Sequence, residues 1–498
     1  EESGRLSCGT GKKNETTYRK RSKKTSFIGK KRNKRKNGEI KGFAGGTLKM
    51  KEDSKNDLFE KAPIPRAYFT FALPVVFSMV VSLVYNMVDT FFIAQTGNTD
   101  LVAGVSLSAP VFTLMIALGD IFGLGGSSVI SRLFGQKLDK DGKRLSVFCF
   151  YGAIACGILV TVLLLLFRGP VLTLLGADRD TMTYASQYYT YIALGAPFII
   201  VSYTPLNLLR TEGFATASMV GSILGAVVNM ILDPVFIFTL GMGAAGAAIA
   251  TVIGNICTDL VFLWFLLKKS RRLSVDPRGF HIQKGELGQI FAIGIPASVT
   301  NLMQSLGMAL TNRFLLPYGN DAVAAMGIVM KVNLIAVLVL VGLAFGVQPL
   351  IGYNYGAKNS RRLRDILKFS YGFECGTAAV LALLLSVAAP ALIRIFMQDP
   401  GIIELGVPML RFQQAGMIFI AVVLVTTSTF QSAGKALGAF LLSVSRQGVI
   451  FAIVIFLASK TFGYNGVLAS QAVSDCLTAI LAAVLLFRWI REEKGSVF

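Results

Sequence analysis

Histidine and paired cysteines are nearly missing from this sequence. His281 is the single histidine, and the six cysteines are scattered without any Cys-x-x-Cys pair. One imidazole cannot build a histidine-based metal or catalytic cluster, and cysteines at irregular spacing support neither a zinc site nor a disulfide framework. We therefore expect no enzyme activity and no cofactor.

Charge is also scarce, at 15% of the 498 residues, whereas 53% are hydrophobic and the mean hydropathy is +0.61. A soluble domain carries about 25% charged residues. Nearly uncharged runs lie at 145–167, 379–393, 415–430 and 447–459. With its flanks, each run is long enough to cross a bilayer core of about 30 Å as a helix that rises about 1.5 Å per residue. These features predict an all-α integral membrane protein.

Twelve membrane-spanning helices are predicted from apolar runs bounded by charge, glycine or proline. The first six lie near 67–92, 101–125, 145–168, 183–208, 216–240 and 245–267. The second six lie near 287–312, 322–350, 366–389, 404–429, 437–459 and 464–489. A long polar stretch separates the two sets, which predicts two six-helix lobes.

The loops differ in their content of basic residues. Loops after even-numbered helices carry most of the loop lysines and arginines, and loops after odd-numbered helices carry few. Because cytoplasmic loops are enriched in Lys and Arg, the even-numbered loops and both termini are expected in the cytoplasm. We expect a multi-pass protein of the plasma membrane that contacts the lipid bilayer.

The two halves of the chain resemble each other weakly. Phe71-Ala-Leu-Pro74 matches Ile293-Gly-Ile-Pro296 at an offset of 222. Gly213 matches Gly434, and the run 243–250 matches 463–470. With six helices per unit, both copies have the same orientation, which predicts a parallel repeat about an axis along the membrane normal. Paired lobes around a midplane cavity are the architecture of alternating-access transporters.

The net charge of +21 is concentrated in residues 1–49, which contain few apolar residues. Such a segment is expected to be disordered and could bind anionic lipid or nucleic acid. Met50 opens a conventional leader into the first helix. We therefore expect residues 1–49 not to belong to the native chain, and we expect no nucleic-acid partner.

The expected organisation is monomeric, with one leader, two lobes, a linker between them and a short tail. These are a basic leader over 1–63, a first lobe over 64–268, a cytoplasmic linker over 269–286, a second lobe over 287–490 and a cytoplasmic tail over 491–498.

Three helices of the first lobe carry polar stripes within the membrane. Their members are three or four residues apart, which places each set on one helical face. Helix 1 has Ser78, Ser82, Tyr85 and Asp89, helix 5 has Asn229 and Asp233, and helix 6 has Thr251, Asn255 and Asp259. A charged group inside the bilayer costs about 2.5–3.5 kcal/mol or more, so these stripes predict a shared polar site.

The chemistry of the stripes suits a monovalent cation. Two carboxylates in one partly desolvated site repel each other, and Na⁺ or a proton relieves the repulsion. Asn and Thr oxygens are hard ligands that add no charge. Pro234 removes the amide that would bond to the Met230 carbonyl, and Pro74 frees the Thr70 carbonyl and allows helix 1 to bend.

A structural role is the alternative for each of these residues. Asp89 could lie at the membrane interface, Asp233 could mark a helix end, and Thr251 could bond to its own helix. Asn255 and Asp259 lie closer to the cytoplasmic end and could link helices by packing.

The second lobe lacks this pattern, because Thr311 stands in the place of Asp89 and Ile450 in the place of Asn229. We therefore expect the cation site in the first lobe only. The intramembrane charges of the second lobe are Lys331, Glu374, Arg411 and Arg446. We expect the basic side chains to pair with Glu374 or to extend to the interface, and attraction of an anionic substrate is the alternative.

The sequence resembles the multidrug and toxic compound extrusion (MATE) family over residues 64–490. The motifs that carry the resemblance are Leu73-Pro74, Asn86-Met-Val-Asp89-Thr-Phe-Phe-Ile93, Asn229-Met-Ile-Leu-Asp233-Pro234 and Gly241-Met-Gly-Ala-Ala-Gly-Ala-Ala-Ile-Ala-Thr251. The resemblance implies a V-shaped pair of six-helix lobes. It also implies export of small amphipathic, often cationic, compounds in exchange for Na⁺ or H⁺.

By the same resemblance, Asp89, Asn229, Asp233 and Thr251 form the site for Na⁺ or a proton, and Pro74 marks where helix 1 bends. Candidate substrate-cavity residues are Ser82, Tyr85, Asn207 and Asn255. The alternative function is a flippase for lipid-linked oligosaccharides or related lipid precursors, which needs cationic side chains in the cavity.

Deletion of residues 1–49 is predicted to leave transport unchanged, because the segment is polar and precedes the first helix. The measurement compares dye efflux from cells with matched membrane levels of the two chains. Loss of efflux on deletion would assign the basic segment a role.

Overall fold

The structure is a computed structural model that describes residues 57–493, apart from the side chains of Asn301 and Leu302. Within this range the chain is helical and has no strand. Eleven helical segments are long and apolar enough to cross a membrane when one bent pair is counted as a single span.

The first half contains six of these helices. They are α1 Ile64–Ala94, α2 Thr99–Gly135, α3 Asp139–Leu166, α4 Met182–Thr211, α5 Ala215–Thr239 and α6 Gly243–Lys268. In the second half, α7 is Glu286–Tyr318, α8 is Asn320–Gly356, α9 is Ser360–Phe396, and α10 is the pair Pro400–Ala415 and Met417–Ala433, bent by 42°.

The last helical segment, Ala436–Glu492, contains two membrane passes. A straight helix of its 57 residues would be about 85 Å long, nearly three times the bilayer core. Gly463 interrupts the helix with φ 56° and ψ −130°. A Cβ on Gly466 would lie 1.9 Å from the carbonyl oxygen of Ala458, so the chain reverses here. We name the two legs α11 (436–462) and α12 (464–492), which brings the described chain to the predicted twelve spans.

Several helices extend beyond their predicted ends. The sequence placed the end of the second helix at 125, and α2 continues to Gly135. Gly125 and Gly126 suggest a helix end, but they serve close packing instead. A Cβ on Gly125 would lie 2.4 Å from the carbonyl oxygen of Ile290 in α7.

Backbone conformation repeats between the two halves. Lys137 and Lys358 are the two non-glycine residues of the described chain with positive φ, at 63° and 53°, and they are 221 positions apart. Gly213 and Gly434 also have positive φ at the same offset. The predicted repeat is therefore present in the turns as well as in the helices.

The two copies meet at the end of the molecule that carries Lys137 and Lys358, here called the basic end. A Cβ on Gly135 would lie 2.0 Å from the Tyr353 carbonyl oxygen, and a Cβ on Gly356 would lie 2.2 Å from the Arg132 carbonyl oxygen. Residues 132 and 135 correspond to 353 and 356 at the offset of 221, so the two contacts are the same contact seen from either half. The pseudo-twofold axis therefore passes between these turns.

Further from the basic end, helices of the two halves pack against each other with the same symmetry. Gly346 of α8 packs against the backbone of Ala72 in α1, and Gly294 of α7 packs against the backbone of Ile121 in α2. Each half thus places its first helix against the second helix of the other half.

The segment between α6 and α7 is packed on the first half. The amide of Ser274 donates to Ser146 Oγ at 3.0 Å, and the hydroxyl of Tyr151 donates to the Val275 carbonyl at 3.0 Å. The predicted linker is therefore held along α3.

Residues 57–62 bridge the halves at the basic end, although the sequence assigned them to the leader. Phe59 is 1% exposed. Its carbonyl accepts from Arg362 Nε at 2.7 Å and from Asn354 Nδ2 at 3.2 Å, both in the second half. The rest of the predicted leader, up to residue 56, and tail residues 494–498 lie outside the described residues.

Glu60 connects this bridge to both halves. It forms an ion pair with Lys137, and it accepts from Tyr353 Oη at 2.6 Å. The Lys137 ammonium lowers the pKa of Glu60 below its ordinary value. The pair therefore stabilises the closed basic end at neutral pH, and its contribution is lost as the pH falls through the lowered pKa.

Gly135→Ala and Gly356→Ala are predicted to prevent closure of the basic end, because each Cβ would overlap a carbonyl oxygen of the other half. We expect loss of transport and faster labelling of a Ser128→Cys reporter, which is buried in the closed interface. The measurement is labelling by a membrane-impermeant thiol reagent in a background free of native cysteines. Gly372→Ala is the matched control, since its Cβ would meet open space, and equal labelling in all variants would contradict the closure.

Candidate functional site

A buried polar cluster lies between α5 and α6 in the first half. The amide of Asn229 lies 3.4 Å from Asp233 Oδ1 on its own helix and 3.4 Å from Thr251 Oγ1 on α6. All three side chains are at most 3% exposed. Asn229, Asp233 and Thr251 therefore come together as the sequence predicted.

Two glycines bring α5 and α6 close enough for this contact. A Cβ on Gly225 would lie 2.6 Å from the Gly254 carbonyl oxygen, and a Cβ on Gly254 would lie 2.8 Å from the Gly225 carbonyl oxygen. The backbones touch at this crossing, one helical turn before Asn229. The side chain of Asn229 can therefore reach across to Thr251.

Helix α1 supplies the second carboxyl group. The carboxyl of Asp89 faces that of Asp233 and interacts with it directly. One turn earlier on α1, the hydroxyl of Tyr85 approaches Thr251. Asp89 therefore points into the cluster and not into lipid, and the two acidic groups share one site across three helices.

Helix α4 contributes Tyr188, which sequence reasoning missed. Its side chain is 8% exposed and its hydroxyl approaches Thr251, close to both carboxyl groups. Tyr188 belongs to the run Tyr188-Tyr189-Thr190-Tyr191. Within such a run, no spacing rule indicates which ring faces the site.

Several oxygens of the cluster are buried without a hydrogen-bond donor. They are Asp89 Oδ1, Asn229 Oδ1 and Asp233 Oδ2. A buried acceptor without a donor costs about 1–3 kcal/mol, and more when it is charged. Carboxylate and amide oxygens are the ligands that a small hard cation prefers, so the chemistry of this cluster fits such an ion.

The donor set suits a monovalent ion better than a divalent one. Two carboxyl groups are its only acidic members, and in the described chain no three His, Cys, Asp or Glu side chains come together. One positive charge lowers the repulsion between Asp89 and Asp233, and Thr251 adds a neutral oxygen.

The two predicted proline effects differ in the structure. Pro234 is followed by the π-helical segment Val235–Thr239, a local widening of the helix next to Asp233. Pro74 lies within a continuous α1, and the Ser78 hydroxyl donates to the Pro74 carbonyl at 2.9 Å. In this state α1 is unbroken at Pro74.

The remaining predicted cavity residues, Ser82, Asn207 and Asn255, differ in their exposure and hydrogen bonding. Ser82 is exposed on α1. The amide of Asn207 donates to the Tyr203 carbonyl at 2.8 Å, and that of Asn255 donates to the Thr251 carbonyl at 2.9 Å. Both amides thus bond to their own helices.

The expected pairing of basic side chains with Glu374 in the second half is wrong. Both carboxyl oxygens of Glu374 are buried without a hydrogen-bond partner, and Lys331 is exposed. Arg411 Nε donates to the Ser386 carbonyl at 3.4 Å. The sequence could not reveal this, because these groups lie on helices whose mutual rotation is set by packing.

Arg446 pairs instead with Asp475, an acidic residue that sequence reasoning overlooked. Arg446 Nε lies 3.0 Å from Asp475 Oδ1, and Gln471 Nε2 donates to the same oxygen at 3.2 Å. The pair joins α11 to α12, the counterparts of α5 and α6. At the offset of 221, the pair falls at the positions of Gly225 and Gly254, where α5 and α6 cross.

Two repeated six-helix halves with a buried acidic cluster in one of them define a secondary transporter of the membrane. The profile of the MatE family matches residues 74–235 and again residues 296–458, once in each half. The chain is 31% identical over 443 residues to the multidrug export protein MepA of Staphylococcus aureus (strain N315), which covers 89% of this chain and 97% of that protein. It is 30% identical over 436 residues to MepA of Staphylococcus haemolyticus, which covers 88% and 96%.

Solved structures share the fold. A MATE transporter in a straight conformation has a TM-score of 0.84 at 23% identity and covers 88% of this chain and 99% of its own. The bent conformation gives the same TM-score and identity with 89% and 99% coverage. The chain therefore belongs to the MatE family, the MATE efflux transporters, whose members are transport proteins.

Asp233→Asn is predicted to abolish stabilisation of the purified protein by Na⁺ or by protons, because one of the two facing carboxyls is removed. A ligand at about 100 times its Kd stabilises a protein by about 2.7 kcal/mol. The measurement is the shift in Tm on adding NaCl or on lowering the pH, with choline chloride at equal ionic strength. Glu374→Gln, which removes a buried carboxyl elsewhere, should keep the shift, and a full shift in Asp233→Asn would contradict the site.

Proposed function

We propose that the protein is a cation-coupled antiporter that exports small amphipathic, often cationic, organic compounds in exchange for Na⁺ or H⁺. The observation that supports this most directly is the pair of facing carboxyls, Asp89 on α1 and Asp233 on α5. An intramembrane acidic pair on two separate helices is a natural cation site whose occupancy changes how those helices pack.

The cation acts on the position of α1. With the site empty, Asp89 and Asp233 repel each other, and three buried oxygens have no donor. A bound cation removes both penalties only when α1 lies against α5. Since Pro74 allows α1 to bend, the ion selects one helix position over another.

Alternating access follows from the contacts at the basic end. We assign this end to the cytoplasm from the loop charges, so the described state is closed on the cytoplasmic side. In this scheme the cation binds from outside, α1 moves towards α5, and substrate in the cavity between the lobes is displaced outward. Rocking of the lobes then opens the cytoplasmic side, where substrate enters and the cation leaves.

The driving force is adequate for this exchange. For a neutral substrate, moving one cation through the membrane potential supplies about 2.3 kcal/mol per 100 mV, and the cation gradient adds to it. For a monocationic substrate, one-for-one exchange moves no net charge, and the cation gradient alone drives export.

The substrate class rests on the relatives and on the shape of the chain. MepA is named as a multidrug export protein. The flippase alternative calls for free cationic side chains to hold a pyrophosphate. Arg446 is instead neutralised by Asp475, and Arg411 is bound to a backbone carbonyl, which leaves Lys331 as the exposed one of the three basic side chains. Together with the named relatives, this favours multidrug export over the flippase.

The proposed moving bodies are the lobes 64–268 and 287–490, with the linker 269–286 travelling with the first lobe because it is held along α3. We further propose a plasma-membrane monomer with both termini in the cytoplasm, since the two halves already supply a closed pair of lobes.

Asp89→Asn and Asp233→Asn are predicted to abolish efflux of a cationic dye while leaving membrane expression normal, because an amide cannot exchange a cation. The measurement is dye efflux from energised cells, with Glu374→Gln as the matched control. Wild-type efflux in both aspartate variants would refute coupling at this site.

Proteoliposomes with separately imposed Na⁺ and pH gradients identify the ion. Drug transport should follow one gradient and lose that dependence in Asp233→Asn. Transport driven by neither gradient would exclude an antiporter of either kind.

A further inference from the structure

Asp259 is a second buried carboxyl on α6 that the cluster around Asp233 does not include. Both of its carboxyl oxygens are buried and have no hydrogen-bond partner. It lies eight residues after Thr251 on the same helical face, about 12 Å closer to the basic end. A carboxyl inside the membrane without a partner is costly, and Asp259 differs from Glu374 in its position next to the polar groups that lead to the Asp233 cluster.

A line of polar groups connects the two carboxyl sites. Asn255 lies between them on α6 and donates to the Thr251 carbonyl at 2.9 Å. The Ser202 hydroxyl on α4 donates to the Phe198 carbonyl at 2.7 Å and lies 3.3 Å from Asn255 Oδ1. The same hydroxyl approaches the carboxyl of Asp259. Thr251, Asn255, Ser202 and Asp259 therefore form a continuous polar column inside the first half.

The other buried carboxyls differ in their surroundings. Asp475 on α12 pairs with Arg446, whereas Glu374 on α9 is, like Asp259, buried without a partner but is not part of the polar column. A carboxylate held by a guanidinium has no need of a mobile cation. Asp259 faces only the hydroxyl of Ser202 among these groups, so its charge must be balanced by a proton or by a mobile ion.

The column runs along α6 from the Asp233 cluster towards the basic end. Helix α6 begins at Gly243 and ends at Lys268, and the Asp233 cluster lies nearer its beginning than Asp259 does. A cation that enters at Asp89 and Asp233 must leave on the other side of the membrane. Asp259 lies on that side of the cluster and offers the next acidic oxygens along the path.

We propose that Asp259, with the oxygens of Ser202 and Asn255, is a second binding site for the coupling cation, here called the station. The cation occupies it after it leaves Asp89 and Asp233 and before it reaches the basic end. The proposal rests on the antiport function proposed above. The ligand is a monovalent cation: Na⁺ would bind oxygens of these three side chains directly, and a proton would pass through the Ser202 hydroxyl. No bond other than an O–H bond is made or broken.

Asp259→Asn tests the station by separating binding from release. The first site is intact in this variant, so the cation-induced shift in Tm should remain. Cation-driven export in proteoliposomes should slow by about tenfold or more, because the ion loses its intermediate oxygens within the membrane. Asp259→Glu, which restores a carboxyl, should recover most of the rate.

A second readout responds to the station alone. Raising the coupling cation on the release side should inhibit wild-type export by filling the station, with Na⁺ and pH varied in separate arms. In Asp259→Asn the half-inhibitory concentration should rise by about tenfold, since the release-side oxygens are missing. A purely structural role for Asp259 would leave this concentration unchanged.

The controls distinguish the two proposals. Asp233→Asn should lose both the Tm shift and transport; if it loses neither, the antiport function fails, and the station fails with it. Glu374→Gln should behave as wild type in every assay.

Ser202→Ala tests the column if Asp259→Asn does not fold, with about threefold slower export expected from loss of one oxygen. The station would be overturned if Asp259→Asn exported at the wild-type rate and was inhibited by release-side cation at the wild-type concentration. If Asp259→Asn does not fold, the same result in Ser202→Ala would overturn it.

Discussion

The facing carboxyls of Asp89 and Asp233 are the constraint around which the first half is organised. Two negative charges cannot remain side by side in a low-dielectric environment unless something positive joins them. The glycine crossing of α5 and α6 fixes one carboxyl together with Asn229 and Thr251. The other is carried by α1, the helix with an internal proline. A rigid pair of helices thus holds half of the site, and a bendable helix holds the other half.

Much of this arrangement could be predicted from the sequence, because helix number and shared faces depend on periodicity. The spacing of Asn229 and Asp233 is one helical turn, and the structure places them accordingly. Contacts between helices were harder to foresee. Tyr188 lies among several tyrosines, and the Arg446–Asp475 pair requires knowing which faces of α11 and α12 meet. The extended end of α2 was missed because glycines that serve packing look like helix stops.

The two halves share a backbone and differ in charge. In the first half, Asp89 and Asp233 have no ion-pair partner among the described residues, which is why we propose that an ion from solution joins them. In the second half, Arg446 and Asp475 pair between α11 and α12, at the positions that correspond to the glycine crossing of α5 and α6. The acidic group there has its own counter-charge, which fits the proposal of an ion site in the first half alone.

The contact on that axis limits how alike the two copies can be. Residues 131 and 352 correspond to each other and meet where the halves touch, and a Cβ on Gly352 would lie 2.2 Å from Ser131 Oγ. The space therefore admits one small side chain in total. A symmetric dimer built from two copies of the first half would bring two serines together there and could not close as tightly. Joining both halves in one polypeptide allows the axis position to be filled unequally, so covalent fusion itself contributes to the fit at the closed end.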